Sequence, residues 1–172
     1  MERREFNKVV KRILSVPTAP FHEHSALAEI RACLGDEGLE YRHDKFGNMA
    51  AIVKTGRGPR IAFAAHTDHP GFEITLSKGR YAEANLWGGV KRPYFHKAPV
   101  LIQHDKGVHG FVMATELVQR YKKKRVGRVK LKLEHEVPVG SFGMWDLLPF
   151  ARKGKTILTR TADDLGGSVF YL

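Results

Sequence analysis

Apolar residues recur at helical spacing at the start of the chain, at Phe6, Val9, Val10, Ile13 and Leu14. They predict an amphipathic helix that Pro17 and Pro20 bring to an end. Leu27, Ile30 and Leu34 predict a second helix over residues 25–34, with Gly35 just beyond its C-terminus. The period then shortens. Residues 39–43 and 49–53 read as a hairpin around the turn Lys45-Phe46-Gly47-Asn48. Residues 61–65, Ile-Ala-Phe-Ala-Ala, are apolar on both faces, the pattern of a central strand covered by helices.

From Gly71 onward the pattern becomes a succession of short strands, at residues 72–76, 81–86, 100–104, 108–112 and 126–133, separated by glycine and Asp-Lys-Gly turns. That spacing predicts a small β-barrel or sandwich. Near residues 155–158 another strand follows, and residues 165–172 read as the first turns of a helix. The expected fold class is α/β. A mixed sheet with helices, formed by residues 1–69 and 156–172, is interrupted by a β-rich insertion over residues 70–155.

Composition narrows the function classes. A chain of 172 residues with 42% hydrophobic content can bury a core. The single cysteine, Cys33, excludes an intramolecular disulfide and lies in the apolar pattern of the second helix, as a buried structural thiol would. No signal-peptide core and no apolar stretch of membrane-spanning length is visible, so a reducing cytoplasm is the default expectation. The net charge of +11 is concentrated in residues 120–132. There Val129, Leu131 and Leu133 alternate with Arg128, Lys130 and Lys132, as in a half-exposed strand with a basic outer face. A solvated face is the simpler reading, and a nucleic-acid partner is the alternative.

Two motifs could carry chemistry. Ala65-His66-Thr67-Asp68 follows the apolar run 61–65, and Thr161-Ala162-Asp163-Asp164-Leu165-Gly166-Gly167 follows the strand near 156–158. Residues two apart in extended backbone point the same way, so His66 and Asp68 share a face. An imidazole with a carboxylate on its second ring nitrogen is a good zinc or cobalt ligand. Adjacent carboxylates at a strand end call for a cation or for donors. Asp164 could equally cap the following helix. Two such motifs at the ends of separate strands favour the metal reading, because open α/β sheets place their sites at strand ends.

These motifs, in this order, resemble the M42 family of metallo-aminopeptidases, the glutamyl and TET aminopeptidases related to the M20 and M28 peptidases. The resemblance extends to Val16-Pro17-Thr18-Ala19-Pro20, Asp44-Lys45-Phe46-Gly47-Asn48, His69-Pro70-Gly71-Phe72 and Trp87-Gly88-Gly89, and so to the N-terminal portion of that family. It implies a zinc-peptidase-like mixed sheet with a barrel-like insertion, apparently truncated. By the same resemblance His66 is a metal ligand, Asp163 is the carboxylate bridging two zinc or cobalt ions, and the catalytic acid Asp68 orients His66. Asp164 follows the bridging residue, where the family allows an unusual peptide bond. The implied activity is release of N-terminal residues from a peptide substrate by a homo-oligomer. Two departures stand out. His69-Pro70 replaces a glutamate and a small apolar residue, and Leu165 stands where arginine is common. The family's Glu-Glu pair, a further acidic ligand and a late histidine have no counterpart in the 172 residues. A catalytically inactive fragment or relative of that family is therefore the first alternative, and a basic β-domain protein that binds nucleic acid through residues 120–132 is the second. The remaining histidines read as surface or core residues, and Trp87 and Trp145 as packing residues.

Overall fold

The computed structural model describes residues 3–54, 56–59, 61–120 and 123–170. Helix α1 spans Arg3–Leu14 and α2 spans His24–Asp36. Gly35 thus lies inside the second helix rather than beyond it. The left-handed residue that follows the helix is Gly38, at φ 67°, and the Leu39 N–H returns to the Leu34 carbonyl at 2.9 Å. Arg12 ties the two helices, its Nε donating to Glu29 at 2.6 Å and its Nη1 to Asp36 at 2.7 Å. The hydrogen bonds to Asp36 and Glu29 raise the guanidinium pKa further.

Strands β1 (Tyr41–His43) and β2 (Met49–Ala51) form an antiparallel hairpin. Asp44 builds its turn. One carboxylate oxygen accepts the N–H groups of Phe46 and Asn48, and the other accepts the Asn48 side-chain amide. The Asn48 amide and these N–H groups hold the Asp44 pKa below the usual carboxylate value.

The barrel is built from β3 (Gly71–Lys78), β4 (Tyr81–Trp87), β5 (Pro99–Ile102), β6 (Val108–Arg120), β7 (Lys123–Leu133) and β8 (Phe142–Trp145). These close in the order β3-β4-β7-β6-β5-β8 with antiparallel pairing. Alternation decides which side chains fill it. Ala82, Ala84 and Leu86 of β4 point inward and are buried, while Glu83, Asn85 and Trp87 point outward. Phe72 and Phe95 pack against Trp145 at ring separations of 4.6 and 5.5 Å. Strands β6 and β7 run on past their other neighbours. Among the described residues, from Leu117↔Val126 to Arg120↔Lys123 they pair only with each other, as a two-stranded ribbon.

After the barrel come a hairpin of β9 (Ala151–Lys153) and β10 (Thr156–Leu158) and the short helix α3 (Leu165–Phe170). A second core joins Val10, Ile13 and Leu14 of α1, Ala26, Ile30, Cys33 and Leu34 of α2, and Leu165 and Val169 of α3.

One expected element is corrected. Residues 61–65 adopt no strand, and Ile61 and Phe63 are 75% and 67% exposed. The hairpin arm also stops at Ala51, which leaves Ile52 and Val53 exposed. The cause is pairing. The described strands outside the barrel form two separate two-stranded sheets, and residues 61–65 join neither.

Candidate metal centre

The segment that carries His66 is held from two sides. Thr18 is fully buried and donates its hydroxyl to the Thr67 carbonyl at 2.8 Å. Ala19, also buried, lies so close to Gly71 that a Cβ there would stand 2.6 Å from the Ala19 Cβ and 2.7 Å from the Gly143 carbonyl. Only glycine lets the loop between α1 and α2 seat against the first residue of the barrel.

Asp163 arrives from the other end of the chain. The buried Thr161 hydroxyl donates to the Leu14 carbonyl at the end of α1 at 3.2 Å. Arg160 Nη2 donates to the Ser15 carbonyl at 3.0 Å. Thr159 donates to the Pro149 carbonyl at 2.7 Å and accepts the Thr161 N–H at 3.2 Å. Leu165 is fully buried in the helical core just beyond. A Cβ on Gly167 would meet the Asp164 carboxylate and come within 3.1 Å of the Ala65 Cβ, which sets this turn directly on the His66 segment. The Asp163–Asp164 peptide bond is cis.

The structure brings His66, Asp68 and Asp163 together. His66 Nδ1 lies 3.1 Å from Asp68 Oδ1 and 3.1 Å from the Asp68 carbonyl, while Nε2 faces Asp163 Oδ1 at 3.6 Å. The tautomer that satisfies this arrangement has its proton on Nδ1, donated to Asp68, and its lone pair on Nε2. Two donors bound to one tetrahedral ion at ~2.1 Å each lie about 3.4 Å apart. The 3.6 Å separation fits that requirement, and at 97% exposure the Asp163 carboxylate is open to a ligand. Among the described residues no cluster of three or more His, Cys, Asp or Glu side chains is disposed to hold an ion alone.

His69 also reaches this turn, with Nδ1 3.4 Å from the Asp163 carbonyl. Burial pushes its pKa down, the Asp163 carbonyl opposes that, and the Arg160 charge adds to it. Burial likewise lowers Arg160, whose Nε has no hydrogen-bond partner among the described residues. Thr18 and Thr161 lie within the stretches noted in the sequence and Arg160 just outside one, but their tying roles emerge only from the fold.

The other candidate positions do not join the site. His22 stacks on Phe142 at 4.6 Å, and Glu23 is taken by the Phe21 N–H at 2.8 Å. His109 pairs with Asp146 at 2.8 Å on the barrel, and His104 lies 3.5 Å from Asp105. Of the basic stretch, Arg128 lies 3.9 Å from Glu116 and Lys130 3.6 Å from Glu83. Tyr121 and Lys122 lie outside the described residues, as do the side chains of Arg120, Lys123 and Lys124.

No family model matches the sequence, and no curated protein matches it. Solved structures do. An aminopeptidase from Desulfurococcus kamchatkensis superposes with a TM-score of 0.73 at 17% identity, over 97% of this chain and 50% of that one. The TET1 peptidase of Pyrococcus horikoshii, which can assemble into a tetrahedron or a large octahedral shell, gives 0.73 at 23% identity, over 95% and 53%. A TET aminopeptidase from a marine-sediment Thaumarchaeota archaeon gives 0.68 at 19% identity, over 86% and 46%. Among the described residues no helix is long and apolar enough to cross a membrane. The chain has the fold of the TET aminopeptidases over about half of their length.

Proposed function

We propose that this chain carries one part of a dinuclear metal site of an aminopeptidase that releases N-terminal residues from peptides. The observation that carries the reading is His66 Nε2 facing Asp163 Oδ1 at 3.6 Å while Asp68 occupies Nδ1. In this reading His66 and Asp163 are ligands, with Asp163 the bridging carboxylate. Asp68 is the positioning residue that fixes the tautomer and raises the basicity of the ring. Zinc or cobalt bound there would polarise the scissile carbonyl and lower the pKa of water. His69 and Arg160 border the same turn.

His66 and Asp163 are two ligands, and a catalytic zinc site takes three. The isolated chain is therefore expected to bind metal weakly and to need further ligands for turnover. The likeness to TET aminopeptidases over half their length supports this division of the site, and their assemblies support a homo-oligomer. A cytoplasmic setting agrees with the lone buried thiol of Cys33.

Cobalt titration followed by visible absorption tests the reading. Bands that form with the wild-type chain and vanish in His66→Ala and Asp163→Ala are expected. Bands that survive both substitutions would place the ion elsewhere. Bestatin-sensitive, metal-dependent turnover by this chain alone would overturn the divided site.

A further inference from the structure

A groove of about 270 Å³ lies on the outer face of the barrel, lined by Asn85, Trp87, Val118, Gln119, Gly127 and Arg128. Strand register builds it. Asn85 on β4 stands opposite Arg128 on β7, and both point outward. A bulge between Glu116 and Leu117 bends β6 where the free ribbon begins. Val118 then lies flat on Gly127, where any Cβ would collide with its side chain. The groove is therefore a product of close packing between ribbon and barrel.

Its lining is chemically mixed. Trp87 is fixed by its indole N–H, which donates to Glu73 Oε2 at 2.9 Å, and by an edge-to-face contact with Phe21 at 5.4 Å. Phe21 is 75% exposed and holds a left-handed backbone at φ 71°, anchored by its N–H on Glu23. Asn85 and Gln119 offer amide donors and acceptors. Arg128 offers the cation. Its carboxylate neighbour, Glu116, stands 3.9 Å away with both side chains 58% exposed, so a bidentate carboxylate can displace it.

Strand pairing bounds the distance from the groove to the candidate metal centre. Trp87 pairs with Gly71, five residues beyond His66. Five extended residues span at most ~18 Å and one strand spacing adds ~5 Å. Arg128 lies one strand further, beside Asn85. A peptide of up to about ten extended residues reaches from one to the other.

We propose that this groove is a subsite for the carboxylate-bearing part of a short peptide. Arg128 pairs with the carboxylate, Asn85 and Gln119 hydrogen-bond the peptide backbone, and Trp87 covers an apolar side chain. The assignment of the ligand as a peptide rests on the aminopeptidase reading. The carboxylate recognition rests on the groove itself.

Binding of hexa-alanine to the intact 172-residue chain in EDTA, followed by amide chemical-shift changes, tests it. The free acid should bind roughly fivefold or more tightly than the C-terminal amide. That preference should disappear in Arg128→Gln and persist in part in Arg128→Lys. An amidated peptide carrying one glutamate separates the two sources of the group. Recovery of the preference assigns it to side-chain carboxylates, and no recovery assigns it to the chain terminus. Equal binding of acid and amide, or an undiminished preference in Arg128→Gln, overturns the proposal. With metal chelated throughout, a failed metal titration leaves this readout intact, and a failed peptide titration leaves the metal reading intact.

Discussion

The barrel and the segments around it satisfy their strands in opposite ways. Each barrel strand has two neighbours, and its inward side chains, such as Phe72, Ile74 and Leu131, are at most 1% exposed. Outside the barrel each described strand has one partner, and residues 61–65 are part of no described strand. Closure removes edges with the chain's own strands, whereas an open sheet depends on whatever lies beside each member. The candidate metal centre sits where the two regions meet. Asp68 and Gly71 lead into the barrel, and Asp163 is pinned to the end of α1.

The sharpest break of that comparison is a pair of core deletions. Leu131→Ala empties a fully buried barrel position and is expected to cost ~2–5 kcal/mol in urea unfolding. Phe63→Ala removes a larger side chain that is 67% exposed and should stay within ~0.5 kcal/mol. Comparable losses at both sites would mean that residues 61–65 are covered in solution.

Next comes the tie between the regions. Thr161→Val keeps the shape but leaves the buried Leu14 carbonyl without its donor, at an expected cost of ~1–3 kcal/mol. The same variant should loosen zinc binding by displacing Asp163. A stability loss with unchanged zinc affinity would show that Asp163 is positioned by other contacts.

Most of the fold was legible because its cues are local. Strand alternation marked five barrel strands, four of them within a few residues of their observed bounds, while β6 runs on from the expected 108–112 to Arg120; the amphipathic period marked α1 and α2. Strand β8 escaped because Phe-Gly-Met-Trp is too short to show alternation. Residues 61–65 misled for a different reason. An apolar run reports that its faces favour burial, not that a neighbouring strand pairs with it. At the site, His66, Asp68 and Asp163 stood out through their spacing. Thr18 and Thr161 lay in the noted stretches, but their role did not show, because a threonine that ties two loops looks like any other.

A smaller effect sharpens the role of Asp68. Asp68→Asn should leave unfolding unchanged and weaken zinc binding by about 10–100-fold through a misoriented His66. Unchanged affinity would reduce the His66–Asp68 contact to a surface hydrogen bond.

The smallest effect concerns pH. The folded-state pKa of Asp44 is depressed, so its contribution is present above the unfolded value of 3.8 and is lost as pH falls through the folded value. Amide exchange at Phe46 and Asn48 should accelerate below that range while the barrel amides stay protected. Simultaneous loss of both would make the hairpin and the barrel one cooperative unit.

Calorimetric titration of the 172-residue chain with zinc, beside His66→Ala and Asp163→Ala, addresses the central claim most directly. The account predicts weak binding at one site that both substitutions abolish. Binding indifferent to the two substitutions would contradict it.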